Sequence, residues 1–204
     1  MICEVGKTFV TFTFVNNEMD SLTFLTAKTT EDLQGILALQ QKNHLNSITA
    51  INDGFLFVRH NLEVLTKMQE FAPHVICKEE DQVVAYTMAM TADCKNDVPE
   101  LIPMFEVFDK IPFKGKLVSD FRYMVVGQVC VGQNYRGLGV FDKLYATYRK
   151  AFYDTFEFAI TEISTRNPRS IRAHARIGFQ EIHQYTDPSG ENWSIVLWDW
   201  AKDK

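Results

Sequence analysis

Apolar positions outnumber polar ones through residues 8–15, Thr8-Phe9-Val10-Thr11-Phe12-Thr13-Phe14-Val15, and the β-branched and aromatic content predicts a strand. The polar run Asn16 to Ser21 reads as a turn, and residues 22–27 as a second strand. The period then lengthens. Thr29 followed three residues later by Asp32 predicts a helix start, with Thr29 as the cap and Asp32 answering it. The helix carries Leu33, Ile36, Leu37 and Gln40-Gln41 at helical spacing. Asn52-Asp53-Gly54 is a turn signal, and residues 55–58, Phe-Leu-Phe-Val, read as a brief strand or an apolar loop anchor.

Residues 61–71 form a helical stripe through Leu62, Leu65 and Met68 that Pro73 terminates. Apolar runs at 75–78 and 83–91 flank Glu79-Glu80-Asp81-Gln82 and predict a hairpin. Residues 101–111 predict a helix between Pro99 and Pro112, and 115–120 a polar connection. Residues 121–131 read as a long strand or a bulged one, since Gly127 sits in the middle. Over 140–152, Phe141, Leu144, Tyr145, Tyr148 and Phe152 share one helical face. Residues 156–163 predict a strand, 168–176 a helix closed by Gly178, and 179–185 with 193–200 a final antiparallel pair. This order predicts an α/β (α+β mixed) fold, with one mixed sheet covered on both faces by helices. No linker or internal repeat interrupts it.

Composition narrows the function classes. The chain has 204 residues, 46% hydrophobic and 23% charged, which suits one core-forming domain. Its net charge of -5 argues against a nucleic-acid partner, which would want a broad basic face. No apolar stretch is long enough to span a bilayer, and the start lacks the basic and apolar regions of a secretory leader, so no membrane association and a cytoplasmic location are expected. Cys3, Cys77, Cys94 and Cys130 are too scattered for a zinc or redox pair, and His44, His60, His74 and His183 form no spaced ligand set, so no metal is expected. Cys130 lies inside an apolar run and reads as a buried, inert thiol.

The strongest chemical signal begins at Val125. The apolar run to Val131 meets Gly132-Gln133-Asn134-Tyr135-Arg136-Gly137-Leu138-Gly139, and an amphipathic segment follows at once. Strand, glycine turn, helix is an arrangement that presents backbone amides to a phosphate. A P-loop is excluded because Val140-Phe141 stands where lysine and a hydroxyl residue would follow the glycine. A dinucleotide-type Gly-x-Gly-x-x-Gly fails at Asp142. A pyrophosphate held by backbone alone remains.

The segment from Val131 to Gly139 resembles the acyl-coenzyme A loop of the GCN5-related N-acetyltransferase (GNAT) superfamily, whose pattern is Gln or Arg, two free positions, Gly, one free position, then Gly or Ala. Arg136 and Gly139 fit it, while Phe141 replaces the small residue and would crowd the pyrophosphate unless it turns into the core. A second family segment follows. Asn167, Ser170, His174 and Gly178-Phe179 occupy the places of Asn, Ala, Tyr and Gly-Phe. The resemblance implies a mostly antiparallel sheet whose central parallel strands splay near Val131 and Ile163 to admit the pantetheine arm. It makes 22–204 a single acyl-CoA N-acyltransferase domain and 1–21 an N-terminal β extension.

Acetyl-CoA, or another acyl-CoA, is then the cosubstrate. Backbone around Val129 and Val131 would bind pantetheine. Amides of Arg136, Gly137, Leu138, Gly139, Val140 and Phe141 would hold the pyrophosphate, Asn167 belongs to the second segment, and Arg172, within a stripe of Arg169, Arg172 and Arg176, reads either as attracting the adenosine 3′-phosphate or as an ordinary solvated charge. The acceptor, a small-molecule or peptide primary amine, would enter from the opposite side, beneath residues 43–57 and the hairpin.

His174 stands where the family's tyrosine protonates the leaving thiolate, and histidine can serve as an acid near neutrality. Glu162, near the end of a strand, is the candidate base, or else a solvent-facing strand residue or a partner for Arg166. Tyr86, Tyr123, Phe55 and Phe57 read equally as acceptor-pocket lining or core. The alternatives to an amine N-acetyltransferase are a noncatalytic acyl-CoA sensor on the same scaffold and an acyltransferase for longer chains. The strand ending at Trp200 either pairs two subunits in a homodimer or completes one monomer's sheet.

Overall fold

The computed structural model describes residues 21–45, 55–97 and 102–203. The strand expected at 8–15, the β extension over 1–21 as far as residue 20, and the turn at 52–54 lie outside these residues. Nine strands and five helices are seen among the described residues: β1 (Leu22–Thr26), α1 (Thr30–Asn43), α2 (Leu62–Phe71), β2 (Val75–Glu79), β3 (Gln82–Met90), α3 (Ile102–Phe108), β4 (Pro112–Phe113), β5 (Lys116–Leu117), β6 (Tyr123–Val131), α4 (Val140–Phe152), β7 (Phe158–Ser164), α5 (Pro168–Ile177), β8 (Gln180–Thr186) and β9 (Asn192–Asp199).

Local chemistry sets the helix starts. Thr29 Oγ1 accepts from Asp32 N–H and Asp32 Oδ2 accepts from Thr29 N–H, the reciprocal cap read from the sequence. Asn61 caps α2 and Asn167 caps α5 through their side-chain oxygens. Gly178 ends α5 at φ 116°, a left-handed angle that costs other residues a Cβ clash. In α1 the buried apolar face runs through Leu33, Ile36 and Leu39, and Leu37 is only half-buried. The connection at 115–120 is less polar in effect than its sequence suggests, because β4 and β5 pair there and Val118 is fully buried.

The main sheet runs β1-β2-β3-β6-β7-β9-β8, and β6 with β7 is its one parallel pair. Side chains of α1, α2 and α3 pack on one face, against Tyr86, Met88, Val125, Ile160 and Ile195. Helix α4 covers the other through Val140, Leu144, Tyr145, Tyr148 and Phe152, against Cys77, Met124, Val126 and Ala159. Successive strand residues point to opposite faces, so two stacks of apolar residues, each lost from water on folding, clamp the sheet from both sides.

The sheet forks at its centre. β6 and β7 pair only from Tyr123–Val125 against Phe158–Ile160, although both strands continue beyond. Two causes are visible. The β3–β6 register passes from Ala89↔Val126 to Met88↔Gln128, leaving Gly127 unpaired, which makes the strand the bulged one of the two readings, and bulges bend and twist a strand. At the fork Thr161 Oγ1 donates to Val126 O at 2.8 Å, so a side chain stands where the next ladder bond would be.

Candidate active site

Past the fork β6 runs into the glycine arc. Gly132 N–H donates to Val84 O at 2.9 Å, and residues Gln133–Tyr135 make one 3-10 turn that Tyr135 ties to Glu79 through its hydroxyl at 2.7 Å. Gly137 and Gly139 then sit at φ 82° and 79° with open space at each missing Cβ. Gly139 is the N-cap of α4 and has no side chain to cap it. The first intrahelical bond is Lys143 N–H to Gly139 O at 3.2 Å, so the amides of Val140, Phe141 and Asp142 precede any intrahelical acceptor. They lie at the positive end of the helix dipole, beside a cleft of about 520 Å³.

All the residues assigned to the cosubstrate except Leu138 line this cleft. Leu138 packs instead against the α4-side core and anchors the loop. Arg136 is a correction. Its N–H donates to Gln133 O, its Nε donates to Val131 O at 3.0 Å, and its Nη2 donates to Asn43 Oδ1 at 2.8 Å. The guanidinium therefore ties the end of α1 to the end of β6, occupying Val131 O, and the amide row available to an anion begins at Gly137. Phe141 stands half-buried with its ring 4.9 Å from Tyr145 and 5.3 Å from His174, turned toward α5. Arg169, Arg172 and Arg176 all reach the cleft rim from α5, and Arg176 pairs with Asp142 at 2.8 Å.

Across the fork lies a smaller cavity of about 110 Å³, lined by Phe57, Gln128, Thr161, Glu162, His174 and Trp193 among others. Glu162 is mostly withdrawn from solvent, and burial pushes its carboxyl up to about 7, with Asp187 adding to the rise. Tyr185 donates to Glu162 Oε2 at 2.6 Å and opposes that rise. Arg166 is not its partner: it forms a bidentate pair with Glu191 and stands over the rings of Phe55 and Phe57. Phe57 also packs on Trp193 at 5.1 Å. Gln128 accepts from Gln40 and from Tyr86 and donates to Val58 O at 3.0 Å, which pins the 55–60 segment over β6. Tyr86 and Tyr123 are core residues, whereas Phe55 and Phe57 do line the cavity.

His174 is buried at 2% exposure. Its Nδ1 lies 2.8 Å from Ser170 O and its Nε2 lies 2.6 Å from the Tyr145 hydroxyl. A carbonyl oxygen only accepts, so Nδ1 carries the proton and Nε2 accepts from Tyr145. Burial lowers its pKa to about 4, which keeps the ring neutral near pH 7. A neutral imidazole whose one proton is already donated to Ser170 is poorly suited to protonate a thiolate, and this corrects the acid role read from the sequence.

Asn167 spends Oδ1 on capping α5 and turns Nδ2 toward Phe55 O at 3.5 Å. Tyr145, Thr161, Ser170 and Tyr185 were missed as site residues. Only the i, i+4 spacing of Ser170 and His174 gave any hint, since the others arrive from distant elements. Cys77 and Cys130 are buried, with thiols pushed up to about 11 and about 12, as inert core thiols are. Among the described residues no group of His, Cys, Asp and Glu could hold a metal, and no helix is long and apolar enough to cross a membrane.

No protein-family model and no curated protein sequence matches the chain. Solved structures do. The ribosomal-protein-S18-alanine N-acetyltransferase of Escherichia coli superposes with a TM-score of 0.57 at 13% identity, covering 87% of this chain and 93% of that one. The ribosomal-protein-alanine N-acetyltransferase of Brucella melitensis gives 0.57 at 21%, covering 87% and 99%. A Salmonella typhimurium structure solved with its cofactor acetyl-CoA gives 0.56 at 18%, covering 88% and 94%. With its forked seven-stranded sheet, its glycine arc opening α4 and these structural neighbours, the chain has the fold of the GNAT superfamily of N-acetyltransferases.

Proposed function

We propose that this chain is an N-acetyltransferase that transfers acetyl from acetyl-CoA to a primary amine of a small molecule or peptide, by direct attack within a ternary complex. The observation that carries this reading is the junction of two cavities at the β6–β7 fork, one edged by uncapped amides and the other holding a carboxyl poised near 7.

The residues present suit acyl-CoA. The amides from Gly137 to Phe141 and the α4 dipole match a pyrophosphate without needing a lysine. The β6 edge beyond Val125 has no strand partner in β7 and lies where an amide-bearing pantetheine arm would complete the ladder at Val129, the Val131 carbonyl being engaged by Arg136. Arg169 and Arg172 supply positive charge for the 3′-phosphate. Glu162 takes the proton of the incoming ammonium, for which a pKa near the working pH is the effective value. The free amine then attacks the thioester carbon and the carbon–sulfur bond breaks. Phe57, Trp193 and the Glu162 carboxyl, which line the smaller cavity, suit a cationic acceptor.

Titration calorimetry with acetyl-CoA tests the cleft, and thiol release against a panel of amines tests the reaction. The reading requires binding and amine-dependent release. Binding without release by any amine would replace the enzyme with an acyl-CoA sensor.

A further inference from the structure

Five residues line both the larger cleft and the smaller cavity: Phe55, Leu56, Val129, Asn167 and Ser170. The first three bring apolar side chains, and the Asn167 carboxamide is engaged in capping α5 and facing Phe55. Ser170 brings a hydroxyl. Its Oγ lies 3.2 Å from His174 Nδ1, one helical turn along α5. Because Nδ1 carries the imidazole proton for Ser170 O, Oγ can meet that N–H only as an acceptor, and its own O–H is left to point elsewhere. On the far side of the ring the Tyr145 hydroxyl donates to Nε2 and holds this tautomer from behind. The rings of Phe141 and Phe179, 5.3 Å and 5.1 Å away, wall the imidazole in. Ser170 and His174 are also the two internal places where the second motif departs from its pattern, and they touch each other.

We propose that Ser170 is a catalytic residue whose hydroxyl donates a hydrogen bond to the departing sulfur of the acyl thioester, with His174 and Tyr145 as positioning residues that orient it. This rests on the acetyltransferase reading above. In the step, a carbon–nitrogen bond forms between amine and acyl carbon, the carbon–sulfur bond breaks, and sulfur keeps the electron pair. The proton shed by the acylated nitrogen balances the one the released thiol finally carries. Ser170 keeps its own proton overall and stabilises charge on sulfur as it develops.

The test is steady-state kinetics of the full chain with two acetyl donors: acetyl-CoA and its selenoester analogue, whose selenol is a far less basic leaving group. Ser170→Ala lowers kcat with the thioester by about 10²-fold at little change in KM, and recovers most of that loss with the selenoester. Ser170→Thr, which keeps the hydroxyl, retains kcat within a few-fold of wild type. Tyr145→Phe and His174→Gln show smaller deficits, about tenfold, that also shrink with the selenoester. Unchanged kcat in Ser170→Ala overturns the proposal. So does an equal deficit with both donors, which would assign the loss to packing. Those results leave the acetyltransferase reading standing, whereas a wild-type chain that binds no acetyl-CoA in calorimetry removes both.

Discussion

Glu162 shows how a side chain's role follows from two opposing environments. Burial and Asp187 raise its pKa, and the Tyr185 hydroxyl, which stabilises the carboxylate, lowers it, leaving a value of about 7. A base must be deprotonated to act, so the rate with an amine should rise with pH through that value. In Glu162→Gln this inflection should vanish, with kcat/KM lower by about 10²-fold or more, measured as a pH–rate profile. A retained inflection would place the base elsewhere. Tyr185→Phe removes the hydrogen bond that favours the charged form, so the same inflection should move upward by about one pH unit. His174 makes the contrasting case: every ring nitrogen is engaged and the ring stays neutral, so its chemistry is orientation.

At the scale of elements, two glycines do different work. Gly139 sits at φ 79° where a Cβ would meet nothing, so its need is conformational, and it opens α4 with amides aimed at the cleft. Gly139→Ala should cost about 1 kcal/mol of stability through the left-handed angle yet weaken acetyl-CoA binding about tenfold, read by calorimetry. Gly35 lies inside α1, where a Cβ would stand 2.6 Å from Val83 Cγ2. Helix propensity alone favours alanine there by about 1 kcal/mol. The clash between helix and sheet should win, so Gly35→Ala is expected to lower the urea-unfolding free energy by about 1–3 kcal/mol. An increase would mean that Val83 yields.

For the whole molecule, acid stability follows from groups buried in their neutral form. Burial lowers the pKa of both His74 and His174 to about 4 in the folded chain, from 6.5 unfolded. The unfolded state therefore binds more protons between these values, and stability falls as pH drops from about 6.5 to about 4, by up to about 3 kcal/mol per histidine. Glu162 acts in the opposite sense. Its folded pKa is raised from 4.5 to about 7, so its contribution is fully present below 4.5 and is lost as pH rises through 7. Two histidines outweigh one carboxyl, and urea denaturation from pH 7 to 4.5 should show a net loss of stability on acidification. Stability that rises over that range would mean the histidines are not neutral in the fold.

Much of the architecture was legible in the chain because it depends on neighbours in sequence. The Thr29–Asp32 cap, the Gly127 bulge, the Gly178 terminator and the amphipathic face of α4 each arise within a few residues, where period and backbone freedom suffice. The glycine arc was legible for the same reason: an uncapped helix start after two left-handed glycines is a local object. The site itself depended on distance in space. Arg136 found Val131 and Asn43 and not a phosphate, Arg166 chose Glu191 over Glu162, and Tyr185 reached Glu162 across the sheet. Thr161 met Val126 at the fork, and Tyr145 closed on His174 from another helix. By itself the sequence determined the main helices and sheet strands from residue 22 on, their order and the amide-rich turn. Only the tertiary structure decided which polar groups meet, and so which are charged, because pairing and desolvation are set by what packs against a group from elsewhere in the chain.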